Sequence, residues 1–97
     1  MQKYPIITIC CSTKYIDEII KYYNELTEQG FIVLADLTDH SRQELFDKAM
    51  VDDMHKQKID MADEVHVLIK NNHYGESVKS ELLYAIDLDK YCKIIHI

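Results

Sequence analysis

Four short apolar runs punctuate this chain: 4–11 (YPIITICC), 31–35 (FIVLA), 64–69 (EVHVLI) and 91–97 (YCKIIHI). A continuous apolar, β-branched run of this length reads as a strand buried on both faces, the habit of parallel sheets. Pro5 then belongs at the entry of the first strand, where its missing N–H does no harm. Between the runs, apolar residues recur at three- and four-residue steps, the period of an amphipathic helix.

The spacing predicts a helix over 13–29, with Ile16, Ile19, Ile20, Tyr23 and Leu26 inward. Ser12 or Thr13 caps it, Asp17 and Glu18 favour its first turn, and Gly30 ends it. After a polar loop, Ser41 and Glu44 have the spacing of a capping box. The helix they open is expected to reach Met61, bent or split, with Leu45, Phe46, Ala49, Met50, Met54 and Ile59 inward. A loop over 70–76 leads into a third helix over 77–89, with Val78, Leu82, Ala85 and Ile86 inward.

The resulting βαβαβαβ order implies an α/β domain with a parallel sheet and right-handed crossovers. With 97 residues there is room for one domain, so 1–97 is expected to be a single flavodoxin-like three-layer sandwich. The natural strand order is 2-1-3-4. Ligands in such sheets sit at the carboxyl ends of the strands beside the switch point, here Cys10–Lys14, Asp36–Arg42 and Asn71–Ser77. One helix is left to cover one face alone, with His66 and His96 on the strands beneath. That half-covered face suggests a homodimer; a wet sheet edge is the alternative.

Charge narrows the partners. Seventeen acidic against eleven basic residues give −6, and Arg42 is the one arginine, so nucleic-acid binding is not expected. The longest uncharged run, Tyr4 to Thr13, is too short to span a bilayer, and nothing resembles a signal peptide. The expectation is a soluble, cytoplasmic protein that binds no membrane. Cys10, Cys11 and Cys92 read as reduced thiols. A thiol nucleophile at Cys10 or Cys11 lacks an evident basic partner. No CxxC or HxxxH spacing marks a metal site, and Asp52, Asp53 and His55 are expected to face water. No GxGxxG or Walker sequence is present, so no cofactor is expected.

The segment IDMADEVHVLIKNNHYGESVKSELLYA resembles the nucleoside 2-deoxyribosyltransferase-like family. The resemblance rests on Ala62-Asp63 before strand 3, Gly75-Glu76-Ser77 in the following loop, and Glu81 with Ala85 on the next helix. ITICCSTKY is similar to the family's first strand and turn, so the likeness covers nearly the whole chain. It implies that Glu81 is the nucleophile that attacks the anomeric carbon and displaces the base, while Asp63 handles the base. Ser12, Thr13, Lys14, Gly75 and Ser77 would bind sugar or phosphate through hydroxyls, N–H groups and charge.

The chain departs from the family pattern at Cys11, where a glycine is usual, and at Thr8–Cys10, where a tyrosine is usual. Gly75 stands where an aspartate often holds the sugar, and no counterpart of the family's extension past strand 4 is expected. The implied activity is an N-glycosidic enzyme of nucleosides or nucleotides, acting by deoxyribosyl transfer or by hydrolysis. Two other readings stay open: a nucleotide-binding module without catalysis, and a dimeric interaction protein.

Overall fold

The computed structural model describes residues 3–38 and 40–97, with the side chains of residues 40, 41 and 43 outside the description. Strands β1 (Ile6–Cys10), β2 (Ile32–Ala35), β3 (Glu64–Ile69) and β4 (Tyr91–His96) alternate with helices α1 (Ile16–Glu28), α2 (Lys48–Met61) and α3 (Gly75–Asp87). All strand pairs are parallel and the order is β2-β1-β3-β4. This is the flavodoxin-like arrangement that the alternation of strand and helix patterns implies. No helix among the described residues is long and apolar enough to cross a membrane.

Strand alternation divides the core in two. Ile7, Ile9 and Leu68 face α1, where Ile19 and Leu26 are buried and Tyr15 and Tyr22 pack at the margin. Tyr15, at the cap of α1, and Ile19, Tyr22 and Leu26 within it follow an i, i+4, i+7, i+11 stripe. The stripe is rotated from the expected one, and Ile20 and Tyr23 are left exposed. On the other face, Cys10, Val65, Val67 and Ile69 meet Ile59 and Ala62 from the end of α2 and Val78 and Ala85 from α3. Full burial of each large apolar side chain contributes roughly 1.5–3 kcal/mol before entropy is counted.

Two helices end in the same way. Phe31 N–H donates to Leu26 O and Gly30 N–H to Thr27 O, with Gly30 at φ +93°. This is a Schellman closure, which needs a left-handed residue. At the end of α3, Lys90 N–H donates to Ala85 O and Asp89 N–H to Ile86 O, with Asp89 at φ 56° in the glycine position.

Several expectations are corrected. α2 starts at Lys48, because the Asp47 carboxylate accepts from Ala49 and Met50 N–H; a separate 3₁₀ turn occupies His40–Leu45. The capping box lies outside the described residues, since the Ser41 side chain is not among them. Leu45, Phe46, Met50 and Met54 are exposed, and the buried face of α2 carries His55 and Ile59 instead. α3 begins two residues early, at Gly75, and Ile86 is exposed.

The histidine-bearing face also differs. His66 is buried: its Nδ1 lies 2.7 Å from Tyr22 Oη and its Nε2 lies 3.0 Å from Glu64 Oε1. In the register, His66 pairs with Lys93 and Ile69 pairs with His96. The two histidines therefore point to opposite faces of the sheet, and α1 already covers the first.

Candidate functional site

A cleft of about 280 Å³ opens at the carboxyl ends of β1 and β2 and the start of α3. β1 delivers Cys11, Ser12 and Thr13 to its rim, and β2 delivers Asp36 and Thr38. Phe46, just before α2, and Lys48 to His55 of α2 form the wall, and α3 supplies Gly75, Ser77 and Glu81. The position is the one a doubly wound sheet favours, because loops diverge where the winding reverses.

Glu81 and His55 meet in the cleft wall. Glu81 Oε2 lies 3.3 Å from His55 Nε2, with side-chain exposures of 16% and 4%. The same Nε2 lies 3.5 Å from Cys10 Sγ, at the end of β1. Cys10 is fully buried, and burial pushes its thiol up well above the ordinary range. The Glu81 charge and a hydrogen bond from the thiol to Glu81 raise it further. The structure thus supplies the basic partner for Cys10 that is not evident in the sequence, yet the thiol stays protonated and is a poor nucleophile.

To meet the carboxylate, His55 Nε2 acts as the donor, because a carboxylate oxygen only accepts. His55 Nδ1 is buried and has no hydrogen-bond partner among the described residues. A buried polar group left unpaired costs about 1–3 kcal/mol. His55 was expected to face water with Asp52 and Asp53. Instead it belongs to the stripe Val51, His55, Ile59 and Ala62, spaced i, i+4, i+8, i+11 towards the sheet.

Asp36 follows β2. Burial alone would raise its carboxyl, but the hydroxyl and backbone N–H of Thr38 both donate to it and hold it below the usual aspartate range. Among the described residues, Asp36, Asp52, Glu76 and Glu81 line the cleft, with Lys48 as a cation that pairs with Asp52 at 3.2 Å. The cleft is therefore acidic. Gly75 takes φ +62° at the start of α3, a conformation that glycine adopts without strain.

Of the residues expected at the site, the structure brings together Glu81, Ser12, Thr13, Gly75 and Ser77. Two are placed elsewhere. The Asp63 carboxylate accepts from Ile6 N–H at 2.7 Å, where β1 and β3 begin. That end lies a full strand away from the cleft, roughly 20 Å for six residues in parallel pairing. Lys14 is not part of the lining, and its ammonium stands over the Tyr15 ring, 5.6 Å from the centroid. Glu81 itself sits in the second turn of α3, because the helix starts at Gly75.

Sequence reasoning missed His55 and the role of Asp36. The i, i+4 relation of His55 to Ile59 was the available signal for the first, and the position of Asp36 just past a strand end was the signal for the second.

No protein-family model matches the chain, and no curated protein matches it. The class that the structure defines is a small flavodoxin-like α/β domain with an acidic cleft built around a carboxylate, a histidine and a thiol.

Proposed function

We propose that the chain cleaves the N-glycosidic bond of a nucleoside, with Glu81 as the nucleophile, by transfer to a second base or to water. The observation that carries this reading is the setting of Glu81: a partly exposed carboxylate in the cleft wall, fixed by His55 Nε2 at 3.3 Å. A carboxylate nucleophile must be aimed and held, and departure of the base creates an oxocarbenium-like centre.

The acidic lining favours that cationic transition state over a neutral ground state, the differential that accelerates chemistry. It also disfavours a phosphate group, so a nucleoside with a free 5′-hydroxyl is the preferred substrate over a nucleotide. Asp36, held ionised by Thr38, suits acceptance of hydrogen bonds from sugar hydroxyls and is a poor proton donor. Ser12, Thr13 and Ser77 supply hydroxyls at the rim.

Asp63 anchors the start of β1 in this reading, and base handling does not depend on it. A homodimer remains the proposed assembly, with exposed Tyr91 and Ile94 on the edge strand β4 among the apolar residues to be covered.

A thermal-shift screen with nucleosides and nucleoside monophosphates, followed by chromatography for free base, tests the reading. Stabilisation by nucleosides with release of base supports it. Stabilisation without release supports a binding module instead, and no stabilisation by any member of the panel supports an interaction protein.

A further inference from the structure

We infer that Cys10, His55 and Glu81 form a zinc site at the floor of the cleft, and that zinc bound there takes Glu81 out of action as a nucleophile. The metal site stands on geometry alone; its inhibitory consequence rests on the function proposed above.

The three ligand atoms all lie within 4.8 Å of one another. Zinc forms bonds of about 2.3 Å to sulfur and about 2.0–2.1 Å to nitrogen and oxygen. In a tetrahedron these lengths set the sulfur–nitrogen edge at about 3.5 Å and the nitrogen–oxygen edge at about 3.3 Å. The observed edges are 3.5 Å from Cys10 Sγ to His55 Nε2 and 3.3 Å from His55 Nε2 to Glu81 Oε2.

The donor set is a thiolate, an imidazole and a carboxylate, a mixture that suits a borderline-soft divalent ion far better than magnesium or calcium. Each ligand comes from a different regular element: the end of β1, the middle of α2 and the middle of α3. Those elements pack on one core, so the ligands are held in place before the metal arrives.

His55 Nδ1, which has no partner among the described residues, is an independent sign. With zinc on Nε2, the second ring nitrogen, Nδ1, carries the ring proton, and no bond to the described residues has to break for it to do so. Binding also releases the Cys10 thiol proton to solvent. His55 and Glu81 line the cleft while Cys10 lies beneath them, so the fourth vertex of the tetrahedron is on the cleft side. Three protein ligands with one open position are the pattern of an accessible zinc site rather than of a closed structural one.

Cobalt(II) is the probe, because a thiolate ligand gives a near-ultraviolet charge-transfer band and a tetrahedral site gives intense visible bands. Titration of the full chain should produce both bands, saturating at one cobalt per chain, and one equivalent of zinc should abolish them. Cys10→Ser should remove the charge-transfer band, while Cys92→Ser should keep it. Glu81→Gln, at a partly exposed position, should fold normally and weaken binding at least about tenfold.

Zinc should suppress base release in step with site occupancy, and a chelator should restore it. Absence of the band in folded wild-type protein overturns the metal site, as does a band that survives Cys10→Ser or an affinity unchanged in Glu81→Gln. Bands without base release by the metal-free protein uphold the metal site and remove the glycosidic reading. Base release unaffected by saturating zinc overturns the inhibitory role.

Discussion

His55 on α2 reaches Glu81 on α3 across the floor of the cleft, with Nε2 and Oε2 3.3 Å apart. The same two helices also meet where Tyr84 Oη donates to Asp60 Oδ1 at 2.7 Å and where Ile59 packs with Val78 and Ala85. The histidine fixes the direction of the carboxylate, because a buried imidazole has one position and a glutamate has many.

His55→Gln tests this positioning role. The glutamine cannot reproduce the imidazole geometry, and Glu81 gains rotamer freedom. Base release should fall about 100-fold, the scale of misplacing a reacting group by an ångström. The loss should appear in kcat with KM little changed, as measured by steady-state kinetics. An equal loss in KM would assign His55 to substrate binding instead.

Asp63 is expected to matter for stability rather than for chemistry. Its carboxylate accepts from Ile6 N–H at 2.7 Å and ties the start of β1 to the start of β3. Asp63→Ala should cost about 1–2 kcal/mol in denaturant unfolding, the range for a hydrogen bond to a charged group at a partly exposed site. Activity per folded molecule should be unchanged, and Asp63→Asn, which keeps an acceptor oxygen, should lose less.

The strands were legible because burial on both faces leaves an unbroken apolar run. β3 matches its expected limits, Glu64 to Ile69. The helices were harder to read. On α2, Met50 and Met54 look like core residues by hydrophobicity, yet the helix buries His55 and Ile59 and leaves both methionines exposed. The i, i+4 relation to Ile59 puts His55 on the buried stripe, but nothing in the sequence marks the carboxylate from another helix that holds it. The same reason hid the cluster: Cys10, His55 and Glu81 are distant in the chain, and only the parallel topology brings them together. Asp63 misled because the resemblance names a residue type at a position, and the fold puts that position at the opposite end of the sheet.

Asp36 makes an acid-side prediction. Its folded value lies below the ordinary aspartate range, so it contributes stability at pH values above the unfolded value of about 3.9. That contribution is lost as pH falls through the lower, folded value. Carboxyl carbon NMR should show a midpoint for Asp36 below about 3.9. Thr38→Val removes the hydroxyl donor and should move the midpoint up, weakening the proposed hold on sugar hydroxyls.

Asp89 offers a stabilising change. It occupies the left-handed position of the closure of α3 at φ 56°, where glycine has no Cβ penalty. Asp89→Gly should raise unfolding stability by about 0.5–1 kcal/mol, as helix-cap optimisation commonly does. Denaturant titration reads this directly, and a loss of stability would mean that the carboxylate contributes more than the backbone strain costs.

Assembly is checked by light scattering at high micromolar concentration, where the account predicts a dimer mass. Tyr91→Lys places a charge on the exposed edge strand and should shift the population to monomer. A wild-type monomer at that concentration would contradict the proposed assembly.

The central claim is that the Glu81 carboxylate is the nucleophile, and the most direct test is the rate of free-base release by wild type and Glu81→Gln, measured by chromatography on metal-free protein. An amide cannot form the glycosyl-enzyme, yet glutamine is nearly isosteric with glutamate. The account predicts base release by the wild type, none above background by Glu81→Gln, and similar unfolding midpoints for the two. Equal rates in the two proteins, or no release by the wild type from any nucleoside, would contradict it.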